Sequence, residues 1–106
     1  MACREEFPHL QTIYEELAPE GLEIVAVEIS NDVARTEQFY EGYGFTIPAG
    51  FDVDQTVSRQ FGVIATPTNY LIDANGRIVW RHYGYRPGDE VDMRDRLKAA
   101  LGLQSN

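Results

Sequence analysis

Cys3 is the residue whose side chain could do covalent chemistry, and it is the only cysteine among 106 residues. A thiolate attacks a disulfide or is oxidised, but disulfide exchange also needs a second thiol to release the mixed disulfide. A single cysteine cannot close an intrachain disulfide and, taken alone, is more often a small hydrophobic residue. Glu5 and Glu6 follow near the start of a predicted helix, where the helix dipole favours negative charge. These residues by themselves leave thiol chemistry and a structural role both open.

The remaining polar residues show no pattern typical of a metal site. His9 and His82 lie far apart, and their spacing from Cys3 matches no familiar set of zinc ligands. Asp52 and Asp54 lack the further ligands and the glycine of a calcium loop, so helix capping is the better interpretation of this pair. We therefore predict no metal and no cofactor.

The elements that would position these residues alternate between helices and strands, which predicts an α/β domain over residues 1–103 and a loose tail at 104–106. Apolar spacing predicts a first helix through Leu17, and an Ile- and Val-rich run at residues 22–29 predicts a buried parallel strand. A second predicted helix is capped by Asn31 or Asp32 and ends at Gly44, and a connection follows at 45–51. A short helix then opens at Asp52 or Asp54 and ends at Gly62. Two strands, at 68–73 and 78–83, are joined through Asn75-Gly76, and a last helix runs from Asp89 or Glu90 to Gly102.

Composition excludes some classes of function. Acidic residues number 17 against 9 Lys and Arg, a formal charge of −8, and the basic residues are scattered, so nucleic-acid binding is disfavoured. No apolar run is long enough to predict a membrane span. The first residues contain no apolar stretch typical of a signal peptide.

Four segments together resemble the TlpA/ResA-like thioredoxin family. The stretch from Cys3 to Leu10 resembles the segment that starts at the second cysteine of the family's C-x-x-C motif and continues after it. Residues 21–27 resemble the second strand of the family, residues 61–68 its approach to a cis-proline, and residues 71–79 its terminal hairpin. The resemblance implies a thioredoxin-like fold with a central mixed sheet flanked by helices.

The resemblance also implies roles for four residues. Cys3 matches the second, resolving cysteine, and Glu6 matches a glutamate buried beneath the cysteines. A desolvated carboxyl has a raised pKa and exchanges protons with thiols, whereas a solvated Glu6 would only favour the helix dipole. Thr66-Pro67 matches the cis-proline dipeptide, whose backbone would face an extended substrate segment near the redox motif.

One departure from the family pattern is that the first cysteine would precede Met1, so that Met1 and Ala2 would be the middle residues of the motif. We expect a chain that begins inside its redox motif and lacks the first strand of the family, which would lie between residues 22–29 and 68–73. In such a sheet the two strands beside the missing one would pair directly, or a strand of another molecule would pair in its place, or apolar surface would be exposed. We therefore expect lowered stability or self-association. We expect this chain alone to be inactive.

The function implied by the resemblance is thiol–disulfide oxidoreduction, the reduction or isomerisation of protein disulfides outside the cytoplasm, as in cytochrome c maturation. The implied partners are protein disulfides or dithiols and a redox donor protein. A periplasmic or other extracytoplasmic location follows for the parent protein, and a cytoplasmic one stays open. One alternative is a peroxiredoxin-like thiol peroxidase, against which Arg4 argues because threonine usually follows that cysteine. The other is a redox-inactive thioredoxin-like binding module.

Overall fold

The computed structural model describes residues 2–29 and 32–103. These residues divide into two compact units, one formed by residues 2–22 and 65–103 and the other by residues 23–29 and 32–64. The helices are α1 (Ala2–Leu17), α2 (Val33–Tyr43), α3 (Thr56–Phe61) and α4 (Asp89–Ala100), and the strands are β1 (Ala26–Glu28), β2 (Ala49–Phe51), β3 (Thr68–Ile72) and β4 (Ile78–Tyr83). The predicted tail at 104–106 lies outside the described residues.

The first unit has its core between α1 and α4. Leu10, Ile13 and Leu17 recur at three- and four-residue steps, so they lie on one face of α1, and all three are buried. Met93 and Leu97 are the buried residues of α4. Burial of these apolar side chains, rather than intrinsic helix propensity, accounts for most of the stability of such helices. The predicted first and last helices are therefore confirmed.

Pro8 lies inside α1 and not in its first turn, because the helix already begins at Ala2. A proline has no N–H to donate to the carbonyl four residues earlier. The helix nevertheless continues to Leu17, and the Thr12 hydroxyl donates to the Pro8 carbonyl at 3.1 Å. Burial of the apolar face, which continues beyond Pro8, stabilises this helix.

Strands β3 and β4 pair antiparallel, as predicted from the Asn75-Gly76 signal. The Asp73 carboxylate accepts the N–H groups of Asn75 and Arg77, each at 2.9 Å, and so stabilises the turn. Gly76 has φ +82°, a conformation that favours glycine. Because Asp73 belongs to this turn, β3 ends at Ile72, one residue earlier than predicted.

In the second unit the prediction of a buried strand at residues 22–29 is wrong in length and in burial. Strand β1 spans three residues, and Val25 and Val27 are 70% and 47% exposed. Its parallel partner is β2, which lies where an irregular connection was predicted. Pro48, just before β2, accepts the Ala26 N–H at 2.8 Å but has no N–H of its own for the ladder, and the last ladder bond runs from the Asp52 N–H to the Glu28 carbonyl at 2.9 Å. The pairing is therefore limited to a few residues.

The predicted caps of the other two helices are largely confirmed. Asp32 caps α2 by accepting the Arg35 N–H at 3.1 Å, and Gly44 ends the helix at φ +70°. The alternative cap, Asn31, lies outside the described residues. The short helix α3 starts at Thr56, two to four residues later than predicted, and ends at Gly62 with φ +69°.

The expected single central sheet is not seen in the described part of the chain. Its strands form two separate two-stranded sheets, β1 with β2 in parallel and β3 with β4 antiparallel. Both kinds of pairing expected of a mixed sheet are present. Each sheet is too small to be stable alone and depends on the helices of its own chain.

Candidate functional site

Cys3 is a free, half-buried thiol in the first turn of α1. Free backbone N–H groups and the positive end of the dipole at this end of a helix stabilise a thiolate. Glu6 lies three residues later on the same helix, so both side chains share one face. The structure thus brings together two of the four predicted site residues.

Glu6 is buried, with 3% of its surface exposed, as the resemblance predicted. Its two carboxylate oxygens accept hydrogen bonds from the Asn69 amide nitrogen, at 3.0 and 3.1 Å. Burial raises the pKa of the Glu6 carboxyl above its ordinary value of 4.5, and the Asn69 hydrogen bond opposes part of that rise. Glu6 therefore keeps its proton to higher pH than a solvated glutamate, whereas Glu5 beside it is exposed.

Asn69 was not identified from the sequence as a site residue. It lies on β3, 63 residues from Glu6, and its partner in the register of the hairpin is His82 on β4. A polar residue within a half-buried strand was the signal that could have pointed to it, because an amide removed from water needs hydrogen-bond partners.

His82, the hairpin partner of Asn69 on β4, contacts the start of α4. Its Nε2 atom lies 3.0 Å from Oδ2 of Asp89, the first residue of α4. The same carboxylate oxygen accepts the backbone N–H of Arg86 at 2.8 Å. These contacts lower the pKa of Asp89, the Arg86 hydrogen bond first and the His82 contact second. The Trp80 ring stacks on His82 with centroids 5.5 Å apart.

Besides the contacts of Glu6, Asn69, His82 and Asp89, a second polar cluster in the same unit contains Tyr85, Glu90 and His9. The Tyr85 hydroxyl donates to Oε1 of Glu90 at 2.7 Å, and the His9 ring stacks on Tyr85. His9 Nε2 lies 3.8 Å from Oε2 of Glu90. Burial and the Glu90 carboxylate raise the pKa of Tyr85 to about 12, so its phenol stays protonated. The loop after β4 thus turns the Tyr85 ring toward its own unit.

The Thr66–Pro67 peptide bond is cis, as predicted. Thr66 is exposed and Pro67 is half-buried. The Pro67 carbonyl accepts the Gly84 N–H at 2.7 Å, which joins this loop to the end of β4. The role of Thr66 and Pro67 toward a substrate stays a prediction.

Asp52 and Asp54 act as helix-capping residues. The Asp52 carboxylate accepts the N–H groups of Val57 and Ser58 at 3.1 and 2.8 Å, and Asp54 accepts the Thr56 N–H at 3.1 Å. The Ser58 hydroxyl, which donates to Oδ2 of Asp52, is the main reason that the pKa of Asp52 is lowered, with the two N–H groups adding to it, and hydrogen bonding to Thr56 lowers the pKa of Asp54. The capping interpretation of this pair is therefore confirmed.

The described residues contain neither a candidate metal site nor a candidate membrane span. Residues 2–29 and 32–103 contain no group of three or more His, Cys, Asp and Glu side chains placed to hold a metal ion. In the same part of the chain no helix is both long and apolar enough to cross a membrane.

Solved structures with similar folds define the class of this domain. A Chlorobium tepidum structure described as the thiol:disulfide interchange protein DsbE has a TM-score of 0.88 at 30% identity, over 95% of this chain and 72% of that one. A solution structure from Neisseria meningitidis, assigned as a thioredoxin, has a TM-score of 0.83 at 22% identity, over 95% of this chain and 67% of that one. The α/β fold is thus thioredoxin-like.

The sequence comparisons then place the chain in a family. The model of the AhpC/TSA family matches residues 1–81, and the chain belongs to that family. Thiol-disulfide oxidoreductase ResA of Bacillus subtilis is 32% identical over 77 residues, 73% of this chain and 43% of the relative. ResA of Halalkalibacterium halodurans is 33% identical over 82 residues, 77% of this chain and 47% of the relative. The chain therefore spans about half the length of the curated relatives it matches.

Proposed function

We propose that this chain carries the thiol site of a thiol–disulfide oxidoreductase, with Cys3 as the resolving thiol. The observation that carries the proposal is the buried Glu6 carboxyl on the same helix face as the Cys3 thiol. Similarity to ResA proteins, which are thiol-disulfide oxidoreductases, supports it. Thr66 and Pro67 complete the proposed site by offering backbone to an extended substrate segment.

In the resolving role the Cys3 thiolate attacks a mixed disulfide that a second thiol has formed, and in this chain alone the same exchange is open to it against a substrate disulfide. One Cys3–substrate S–S bond forms, the substrate S–S bond breaks, and the departing sulfur leaves as a thiolate. Glu6 in its ionised, carboxylate form takes the proton from Cys3 before attack and, once protonated, returns it to the departing thiolate. A full cycle needs a second thiol, which this chain does not contain, because Cys3 is its only cysteine. A redox donor protein would supply the electrons.

The exchange is tested with a chromogenic aromatic disulfide, with release of its thiolate followed from low to high pH. The reduced chain should release one equivalent as Cys3 forms the mixed disulfide, and C3S should release none. E6Q should change the pH profile of the rate, whereas E5Q, a matched change at an exposed neighbour, should not. A profile that is the same for wild type and E6Q would refute the proton-transfer role.

The resolving role is tested by adding one cysteine directly before Met1, behind a new initiating methionine. This variant places two cysteines in a C-x-x-C spacing with Cys3. It should form a reversible internal disulfide and reduce insulin in the presence of dithiothreitol, while the same variant with C3S should do neither. Failure to form the disulfide in a chain with a native circular dichroism spectrum would contradict the assignment of Cys3.

A second candidate function is thiol peroxidase, which the AhpC/TSA match favours. Exposure of the reduced chain to equal concentrations of hydrogen peroxide and oxidised glutathione separates the two functions by mass spectrometry. The oxidoreductase proposal expects the glutathione mixed disulfide to form first. Faster formation of a Cys3 sulfenic acid would favour the peroxidase.

The partners and location follow from the same proposal. We infer that protein disulfides or dithiols are the substrates and that the parent protein acts outside the cytoplasm. Exposed apolar side chains on β1, β3 and β4, including Val27, Ile72 and Val79, support self-association of the chain. Sedimentation over a range of concentrations tests this last inference, and a monomer throughout would overturn it.

A further inference from the structure

Polar and titratable groups from several elements surround the Glu6 carboxyl, and all of them except Cys3 take no part in the proposed exchange. Glu6 lies in α1, and the groups facing it come from every element around it. They are His9 and Cys3 from α1, Asn69 from β3, His82 from β4, Tyr85 from the loop after β4, and Asp89 from α4.

Asn69 fixes the position of the carboxyl. Its one amide nitrogen donates to both Glu6 oxygens at 3.0 and 3.1 Å, which holds the carboxyl plane toward β3. Such a bond favours the ionised form, because a carboxylate accepts hydrogen bonds better than a neutral carboxyl. Removing the amide would therefore make Glu6 hold its proton more tightly.

His82 and Asp89 act on Glu6 through charge, and their signs are opposite. A protonated His82 lowers the pKa of Glu6, and the Asp89 carboxylate raises it. The two are joined at 3.0 Å, and about a quarter of each side chain is exposed, so solvent protons reach them while Glu6 stays buried. Histidine is the side chain that ordinarily changes charge between pH 5 and 8.

We propose that Asn69, His82 and Asp89 are positioning residues for Glu6: Asn69 orients its carboxyl by donating to both oxygens, and the His82–Asp89 pair, which starts at the hairpin partner of Asn69, controls proton release from that carboxyl. The consequence, which is a pH-regulated exchange at Cys3, rests on the proposed function. Removal of the positive charge of His82 would make Glu6 hold its proton more tightly.

The test is a titration of the full chain labelled with carbon-13 at glutamate carboxyls, with the Glu6 signal assigned by its loss in E6Q. We expect the Glu6 midpoint to rise in H82Q, to rise in N69L and to fall in D89N. A shift of one pH unit corresponds to about a tenfold change in the ratio of protonated to ionised Glu6. A structural role alone would loosen the site and move all three midpoints down toward the ordinary value.

His9 provides the matched control. It is the other histidine of the chain, its side chain is 46% exposed, and it exerts the weakest of the influences on the pKa of Glu6. H9Q should therefore raise the Glu6 midpoint less than H82Q does. Equal shifts in H9Q and H82Q, or a midpoint in H82Q that is unchanged or lower, would overturn the inference.

The exchange rate of Cys3 with the chromogenic disulfide, measured on the same variants, separates this inference from the proposed function. If the midpoints move as expected and the rate profile follows them, both stand. If the Glu6 midpoints move but the pH profile of the Cys3 exchange rate does not change, the inference about Glu6 stands and the proposed role of Glu6 in exchange at Cys3 fails. Circular dichroism of each variant shows whether it folds. If H82Q is unfolded, H82N takes its place, and if N69L is unfolded, N69V takes its place.

Discussion

The Asn69 amide donates to both carboxylate oxygens of Glu6, although the two residues are 63 positions apart in the chain. The bond joins α1, which carries the thiol, to β3, which follows the Thr66–Pro67 dipeptide. Burial of a carboxyl costs folding free energy unless the group is hydrogen-bonded or protonated. Asn69 supplies the hydrogen bond to Glu6, and the raised pKa of Glu6 favours its protonated form. An acid buried in this way affects both stability and reactivity.

The stability of the chain should depend on pH through Glu6. Its folded pKa lies above the ordinary value of 4.5, so the native state binds more protons than the unfolded state. The contribution is fully present below pH 4.5 and is lost as the pH rises through the raised folded pKa. E6Q should remove this loss and be more stable relative to wild type at high pH than at low pH. Urea unfolding at several pH values measures this, and parallel curves for wild type and E6Q would contradict it.

Asp52 should contribute stability with the opposite pH dependence. Hydrogen bonds from α3 hold its pKa below the ordinary 3.8, so its contribution is present above pH 3.8 and is lost as the pH falls through the lower folded value. D52N should destabilise the chain at neutral pH, and the difference from wild type should shrink in acid. Thermal unfolding across this range measures the effect. D54N, at an exposed cap with one N–H partner, is the control and should cost less.

Leu17 should be among the most costly residues to truncate. Its side chain is 2% exposed at the end of α1, and removal of a buried leucine side chain costs about 2–5 kcal/mol of unfolding free energy. Denaturant unfolding of L17A measures the loss. V91A, on α4 with a side chain 61% exposed, should change the stability by less than about 0.5 kcal/mol. A similar loss in both variants would place the core elsewhere.

Tyr85 should titrate later than an ordinary phenol. Its pKa of about 12 comes from burial first and from the Glu90 carboxylate second, so E90Q should lower it by removing the hydrogen-bonded negative charge. Ultraviolet absorbance at rising pH follows phenolate formation, and Y85F identifies the component that belongs to Tyr85. A late component that survives in Y85F would refute the assignment.

The sequence alone predicted the features that depend on near neighbours. The apolar spacing of Leu10, Ile13 and Leu17 predicted α1, and the glycines at 44 and 62 predicted helix ends. Helix periodicity and capping are set within a few residues, so they can be read from spacing. The Thr66–Pro67 cis bond and the burial of Glu6 came from the family resemblance, since spacing alone predicts neither.

Only the tertiary structure decided which distant groups meet. It joined Asn69 to Glu6 and His82 to Asp89, and it limited β1 and β2 to short, partly exposed strands. Strand length depends on where a partner strand can pair, and the pKa of a buried acid depends on the side chains that other elements place around it. The sequence thus determined where a thiol and an acid lie on one helix face, and the tertiary contacts decided how that acid is oriented and charged.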